Sequence, residues 1–193
     1  MILNKKFFQR PVKTVAEDLL GKYLVRRFAD GRTLAEMVTE VEIYDGPEDR
    51  ASHACQIGTD KRRRNNKGKT KRTAPMFEAG GIFYIYLCYG MYQMLNIVVG
   101  EKDYPAAILI RATRETKGPG RLTRKFAIDK SLNTKSALRG TGLWFEDRKE
   151  ELAPQKIVRA PPVSYTHLRA HETPEHLVCR LLLEKKNNKS IQI

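Results

Sequence analysis

The stretch from Gly80 to Gly100, GGIFYIYLCYGMYQMLNIVVG, sets the strongest limit on what this chain can fold into. Phe83, Ile85 and Leu87 alternate with Tyr84, Tyr86 and Cys88, the period of a strand with two unlike faces. A turn is expected near Tyr89-Gly90-Met91, and a second apolar run follows. Two strands joined this closely must be antiparallel, because a parallel pair needs a long crossover. The three tyrosines Tyr86, Tyr89 and Tyr92 can be explained as packing, or as rings on which something flat could stack.

The rest of the chain is compatible with more of the same. KYLVRRF reads as a strand, DGR at Asp30–Arg32 as a hairpin turn, and TLAEMVTEVEIY as a strand-like run rich in β-branched residues that ends at the turn cluster DGPED. AAILIRAT is a buried strand ending on Arg111, and TGLWFED and QKIVRAPPV are short strands. Helices are expected in two places. One begins at Thr14, three residues before Glu17 as in a capping box, and stops at Gly21. The other is a basic helix entered through the Gly/Pro turn of KGPGRLTRKFAI. Antiparallel strands with a few segregated helices make an α+β fold. No internal repeat or linker divides the chain, and its 193 residues suit one domain.

Charge narrows the partner. The chain has 36 Lys and Arg against 22 Asp and Glu, a net charge of +14. Such an excess favours a polyanion. Between residues 61 and 72 lie Lys61, Arg62, Arg63, Arg64, Lys67, Lys69, Lys71 and Arg72, with no apolar residue among them. That is an exposed loop suited to phosphate contact, with Arg62, Arg63, Arg64, Lys67, Lys69 and Arg72 the candidates for a DNA backbone.

Three cysteines without a CxxC pair indicate neither a disulfide framework nor a thiolate metal cluster. The N-terminus lacks the apolar core of a signal peptide, and no run approaches a membrane span, so a cytoplasmic protein is expected. From about Val163 onward the sequence resembles a translated sequencing-adapter read-through, which divides the chain into a domain of residues 1–162 and a non-native tail of 163–193. His167, His171 and His176 with Cys179 lie in that tail, and their zinc-like spacing has no evident structured setting.

EVEIYDGPEDRASHA carries the chemistry. Glu40 and Glu42 are two apart, so a strand aims both to one face with Tyr44, and His53 follows beyond the turn. From periodicity alone a solvated polar face accounts for this, and Arg111 could simply pair with Glu40 or Glu42. Taken together, however, TEVEIYDGPEDRASHA, MFEAGGIFYIYLCYGMYQMLNIV, AAILIRA and GPGRLTRKFAI, in that order, strongly resemble the 3-methyladenine (alkyladenine) DNA glycosylases. The resemblance spans roughly Phe7 to Val158.

The resemblance implies a single compact α+β domain with a curved antiparallel sheet, acting as a monomer on double-stranded DNA that contains damaged purines. It would be nucleoid-associated if the chain is bacterial. It implies hydrolysis of the N-glycosidic bond of a flipped-out alkylated or deaminated purine by an activated water, with no metal or organic cofactor and an abasic product. Glu42 would be the general base and Arg111 would help hold the water. Tyr44 and Tyr86 would be the walls of the base pocket, with His53 also against the base. Asn96 would discriminate against the amine of guanine, Tyr89 would fill the gap in the duplex, and Tyr92 would remain structural. The alternatives are a catalytically impaired basic DNA-binding protein of the same fold and, more remotely, an RNA-associated protein.

Overall fold

Strand alternation and tight turns dominate the chain, and an antiparallel sheet is what the computed structural model contains. It describes residues 1–49, 51–55, 68–150, 156–160 and 180–184. Two short helices, α1 (Lys5–Phe8) and α2 (Val12–Leu19), precede β1 (Tyr23–Arg27) and the long β2 (Thr33–Asp45). Then come β3 (Phe83–Cys88), β4 (Tyr92–Val98), β5 (Ala106–Thr113), α3 (Pro119–Lys125), β6 (Leu143–Glu146), β7 (Lys156–Ala160) and β8 (Arg180–Glu184). The sheet order is β3-β4-β5-β2-β1-β6, and each of these neighbouring pairs is antiparallel. The sheet is curled, and the fold is α+β.

The helix α2 is capped three residues earlier than the capping box proposed. Its N-cap is Pro11, and Val15 N–H donates to the Pro11 carbonyl at 3.0 Å. Thr14 therefore lies inside the helix and caps nothing. What holds α2 is its apolar stripe, since Val12, Val15, Ala16 and Leu19 recur at helical spacing and are all buried. They cover one face of the sheet together with Val41, Ile43, Ile97, Ile108, Ile110 and, from α3, Leu122.

The opposite face carries a smaller apolar cluster. Tyr44, Tyr84, Val98, Ala107 and Leu109 project from the strands and meet Ala54 and the 3₁₀ turn Ala74–Phe77. The helix α3 lies beside β4, where the Thr123 hydroxyl donates to the Gln93 carbonyl at 2.9 Å. Tyr92 packs so closely on Gly120 that a Cβ there would sit 2.7 Å from its ring. The contact packs Tyr92 against α3.

Strand β2 is long enough to serve two neighbours along one edge. Its first half pairs with β1, and Glu40–Glu42 pair with β8, which in turn pairs with β7. The strand β8 falls in the segment read as non-native. A short apolar strand will pair with an open edge whatever its origin, so this pairing bears on the sheet and not on the source of the segment. The tail histidines and Cys179 lie outside the described residues.

A buried carboxylate ties α3 to β2. Glu36 is 3% exposed, forms an ion pair with Lys125, and accepts hydrogen bonds from the Thr113 and Thr116 hydroxyls, the latter at 2.8 Å. Burial works to raise its pKa, but Lys125 and the two hydroxyls outweigh it and hold the carboxyl below its ordinary 4.5. Because the folded value is depressed, the stabilisation is full above the ordinary value and is lost as pH falls through the folded one. We expect Glu36→Gln to cost about 1–3 kcal/mol in urea unfolding at neutral pH. The gap from the parent protein should narrow as pH falls below about 4.

Candidate active site

Four strands carry the candidate residues across the sheet in rows. Glu42 on β2 is opposite Leu109 on β5, Leu109 is opposite Asn96 on β4, and Asn96 is opposite Tyr84 on β3. One step along, Tyr44 is opposite Ala107, which is opposite Val98. Pairing thus delivers to one face residues that are far apart in sequence. That same face holds the aromatic and methionine-lined cluster.

The register of β2 and β5 is broken at one point. Val38 pairs with Thr113, Glu40 with Ala112, and Val41 with Ile110. Thr39 is an extra residue on one strand and Arg111 an extra residue on the other, so the two irregularities offset each other. Bulges of this kind re-aim side chains. Here the guanidinium of Arg111 reaches across to two carboxylates, with Nε donating to Glu40 Oε1 at 2.8 Å and Nη1 to Glu42 Oε2 at 2.6 Å. The ion pair that the sequence left open is present, and both glutamates take part.

Glu42 has no exposed surface. Its other oxygen, Oε1, accepts a hydrogen bond from the Tyr44 hydroxyl at 3.2 Å. Burial, with Tyr86 and Glu42 as neighbours, pushes the Tyr44 phenol far above its usual value. Burial likewise pushes Tyr86 up to about 12. Both rings are therefore neutral phenols at any physiological pH.

His53 stands edge-on to Tyr86, with ring centroids 4.6 Å apart, and its Nδ1 lies 3.4 Å from the Tyr84 hydroxyl. The loop that brings it there is pinned by Asp49, whose carboxylate accepts from the backbone N–H groups of Asp45 at 3.0 Å and Ala51 at 2.9 Å. Burial, then the nearby Arg72 charge, lowers the His53 pKa from its ordinary 6.5, which favours neutral imidazole. Asn96 is wholly buried. Its Nδ2 donates to the carbonyls of Tyr84 at 3.1 Å and Met94 at 3.3 Å, while Oδ1 has no partner among the described residues.

At the far end of β3, Met91 N–H donates to the Cys88 carbonyl, with Tyr89 at φ +50° and Gly90 at +71°. Two successive positive φ values make the turn that suits the twist of a hairpin. Glycine accepts that conformation freely, but a tyrosine there is strained. The turn leaves Tyr89 86% exposed, with Met91 and Leu87 also largely in solvent. Tyr89 is thus set apart from the Glu42 cluster, at the tip of the same hairpin that supplies Tyr84 and Tyr86.

The basic loop is only partly brought into this picture. Arg62, Arg63, Arg64 and Lys67 lie outside the described residues. Lys69 is 3.6 Å from Asp103 and sits over the Phe77 ring. Arg72 lies over the Tyr86 ring at 5.2 Å from its centroid, which places it at the aromatic cluster as well as on the surface. Tyr84 was not singled out from the sequence, though the alternation that marked Tyr86 marked it equally. From the sequence, Glu40 shares a face with Glu42 and is one of two candidate ion-pair partners for Arg111. Among the described residues no group of three or more His, Cys, Asp or Glu could hold a metal, and no helix is long and apolar enough to cross a membrane.

The chemistry available is that of a buried carboxylate beside a fixed cation, bordered by neutral aromatic rings. Comparison with known proteins shows the family. Residues 6–116 match the family model described as methylpurine-DNA glycosylase. Three relatives share the name "Putative 3-methyladenine DNA glycosylase". The one from Natranaerobius thermophilus is 40% identical over 154 residues, covering 69% of this chain and 72% of the relative. The one from Sodalis glossinidius is 42% identical over 139 residues, with 68% and 72% covered. The one from Methanocella arvoryzae is 36% identical over 182 residues, with 84% of each covered.

Removing Arg111 strands a buried negative charge, which is costlier than losing the pair as a unit. We expect Arg111→Met to destabilise the protein by about 3–5 kcal/mol. In a double-mutant cycle read by urea unfolding, adding Glu42→Gln should recover a large part of that loss, and strictly additive changes would show the two groups to be uncoupled.

Proposed function

This chain belongs to the methylpurine-DNA glycosylase family, and we propose that it hydrolyses the N-glycosidic bond of alkylated or deaminated purines in double-stranded DNA, leaving an abasic site. The observation that carries this reading is Glu42, a fully buried carboxylate held between the Tyr44 hydroxyl and the Arg111 guanidinium beside an aromatic cluster. A carboxylate so placed can take a proton from a water as the water attacks the sugar C1′. Its charge also faces the positive charge that builds on the sugar as the base departs. Arg111 orients the carboxylate and, through it, the water.

A base inside a stacked duplex cannot reach this site, so it must first be rotated out, at a cost of a few kcal/mol. Tyr89 is suited to occupy the gap, because its exposed ring already stands clear of the fold on a stiff turn. The flipped base is received by Tyr44 and Tyr86, with His53 at the edge. Ring stacking of this kind contributes about 1–3 kcal/mol per base. The net charge of +14 supplies affinity for the backbone without regard to sequence. A cationic alkylated purine is already a good leaving group, whereas hypoxanthine needs a proton as it leaves.

Asn96 acts differently from a simple donor mismatch. The two carbonyls fix its Nδ2, so the atom left over is an acceptor. An acceptor would welcome the amine of guanine if there were room for it. Exclusion of that amine therefore rests on close fit rather than on an unpaired donor.

The deciding experiment is base release from duplexes carrying hypoxanthine or an N-methylated purine, followed by alkaline cleavage at the abasic sites. We expect Glu42→Gln to slow release at least ~100-fold while duplex binding stays within a few fold. Parent protein that binds such duplexes but never releases a base would point instead to a DNA-binding protein of this fold. We expect Tyr89→Ser to slow release from a fully paired lesion by roughly tenfold or more, the loss of one stacking contact. Release from a lesion already unpaired should be little changed, and equal slowing on both substrates would remove Tyr89 from the flipping step.

A further inference from the structure

Arg72 was expected on the DNA backbone, yet its guanidinium rests over the ring of Tyr86, 5.2 Å from the centroid. Tyr86 in turn meets the His53 imidazole edge-on at 4.6 Å and the Tyr84 ring at 5.4 Å. The Arg72 charge also acts on the Tyr84 phenol, working against the rise in pKa that burial causes. One cation therefore rests on Tyr86, and that ring in turn meets two further aromatic groups. We propose that Arg72 is a positioning residue that sets lesion preference, biasing the site toward neutral damaged purines by adding a like charge against bases that arrive positively charged.

The physical basis is simple. An electron-rich ring attracts a cation. Tyr86 already has one guanidinium on it, so a second cation, the alkylated base, gains less from the same ring and is repelled by the first. A neutral base such as hypoxanthine stacks without that penalty. The same positive charge disfavours a proton on His53, which burial already disfavours, so the imidazole does not add a further charge to the site. The groups facing His53 are Arg72, Tyr84 and Tyr86; on its own loop, the Asp49 carboxylate is turned to backbone N–H groups instead. Because Arg72 is largely exposed, the bias is modest and shrinks with added salt.

A phosphate contact by Arg72 would alter affinity for every duplex alike, so the test is a ratio. It rests on the glycosylase reading and compares kcat/KM for an N-methylated cationic purine with kcat/KM for hypoxanthine in the same duplex. Arg72→Met, which removes the charge and keeps much of the bulk, should raise that ratio about threefold, the scale of one exposed cation–π contact. Arg72→Lys should leave it near the parent value. In the free protein, an NMR titration of His53 should move to higher pH in Arg72→Met and stay in place in Arg72→Lys. An unchanged ratio in Arg72→Met overturns the proposal, as does an equal shift in both variants, which would indicate packing rather than charge. Parent protein that releases neither base overturns the glycosylase reading instead, and the His53 titration then still decides whether Arg72 sets the charge of the site.

Discussion

The ion pair of Arg111 with Glu40 and Glu42 is the interaction on which the site depends. A carboxylate with no exposed surface is too costly to keep charged unless a cation and hydrogen bonds replace the lost water. Arg111 supplies the cation, Tyr44 the hydrogen bond, and Glu40 holds the second edge of the guanidinium. The partners constrain one another. Arg111 reaches both acids at the point where the sheet carries one extra residue on each of two adjacent strands. A regular ladder continued from Val41 and Ile110 would set Arg111 opposite Glu40, so the pairing of these groups follows from the register on either side of the irregularity.

The two faces of the sheet divide the work. Helices α2 and α3 seal one face with apolar side chains, interrupted at its margin by the buried Glu36 and its partners. The other face packs more thinly, against a 3₁₀ turn and the loop of Ala51–Cys55, and it is there that Glu42, Asn96, Tyr84 and Tyr86 are gathered. A buried polar group needs neighbours that hold it still, and the covered face behind supplies the stiffness. Glu36 extends that stiffness outward by fastening α3 to β2 through Lys125, close to the strand end that carries Arg111.

Much of this was legible in the sequence, for identifiable reasons. Alternation placed Glu40, Glu42 and Tyr44 on one face, and the short turn at Tyr89-Gly90-Met91 fixed the hairpin with its exposed tip. The residue blocks EVEIY and YGMY pointed to the family before any geometry was known. What the sequence could not reveal were relations across the sheet. The bulge at Arg111 depends on how two strands pair, which a single strand does not encode. The start of α2 was misplaced because Thr14 and Glu17 match a local motif, while burial of Val12 determined where the helix begins. The charge run around Arg72 marks it for a phosphate, whereas its place over the Tyr86 ring is a contact between segments distant from that run's own pattern.

The hairpin tip has a consequence for how the molecule behaves between encounters with DNA. Tyr89, Leu87 and Met91 form an apolar point standing free in water, the kind of surface through which two copies would adhere. A net charge of +14 opposes this, because like-charged copies repel before their tips can touch. The charge that favours a polyanionic partner also opposes contact between two such tips. Salt weakens both effects together, so colloidal stability and DNA affinity rise and fall as one property of the same surface.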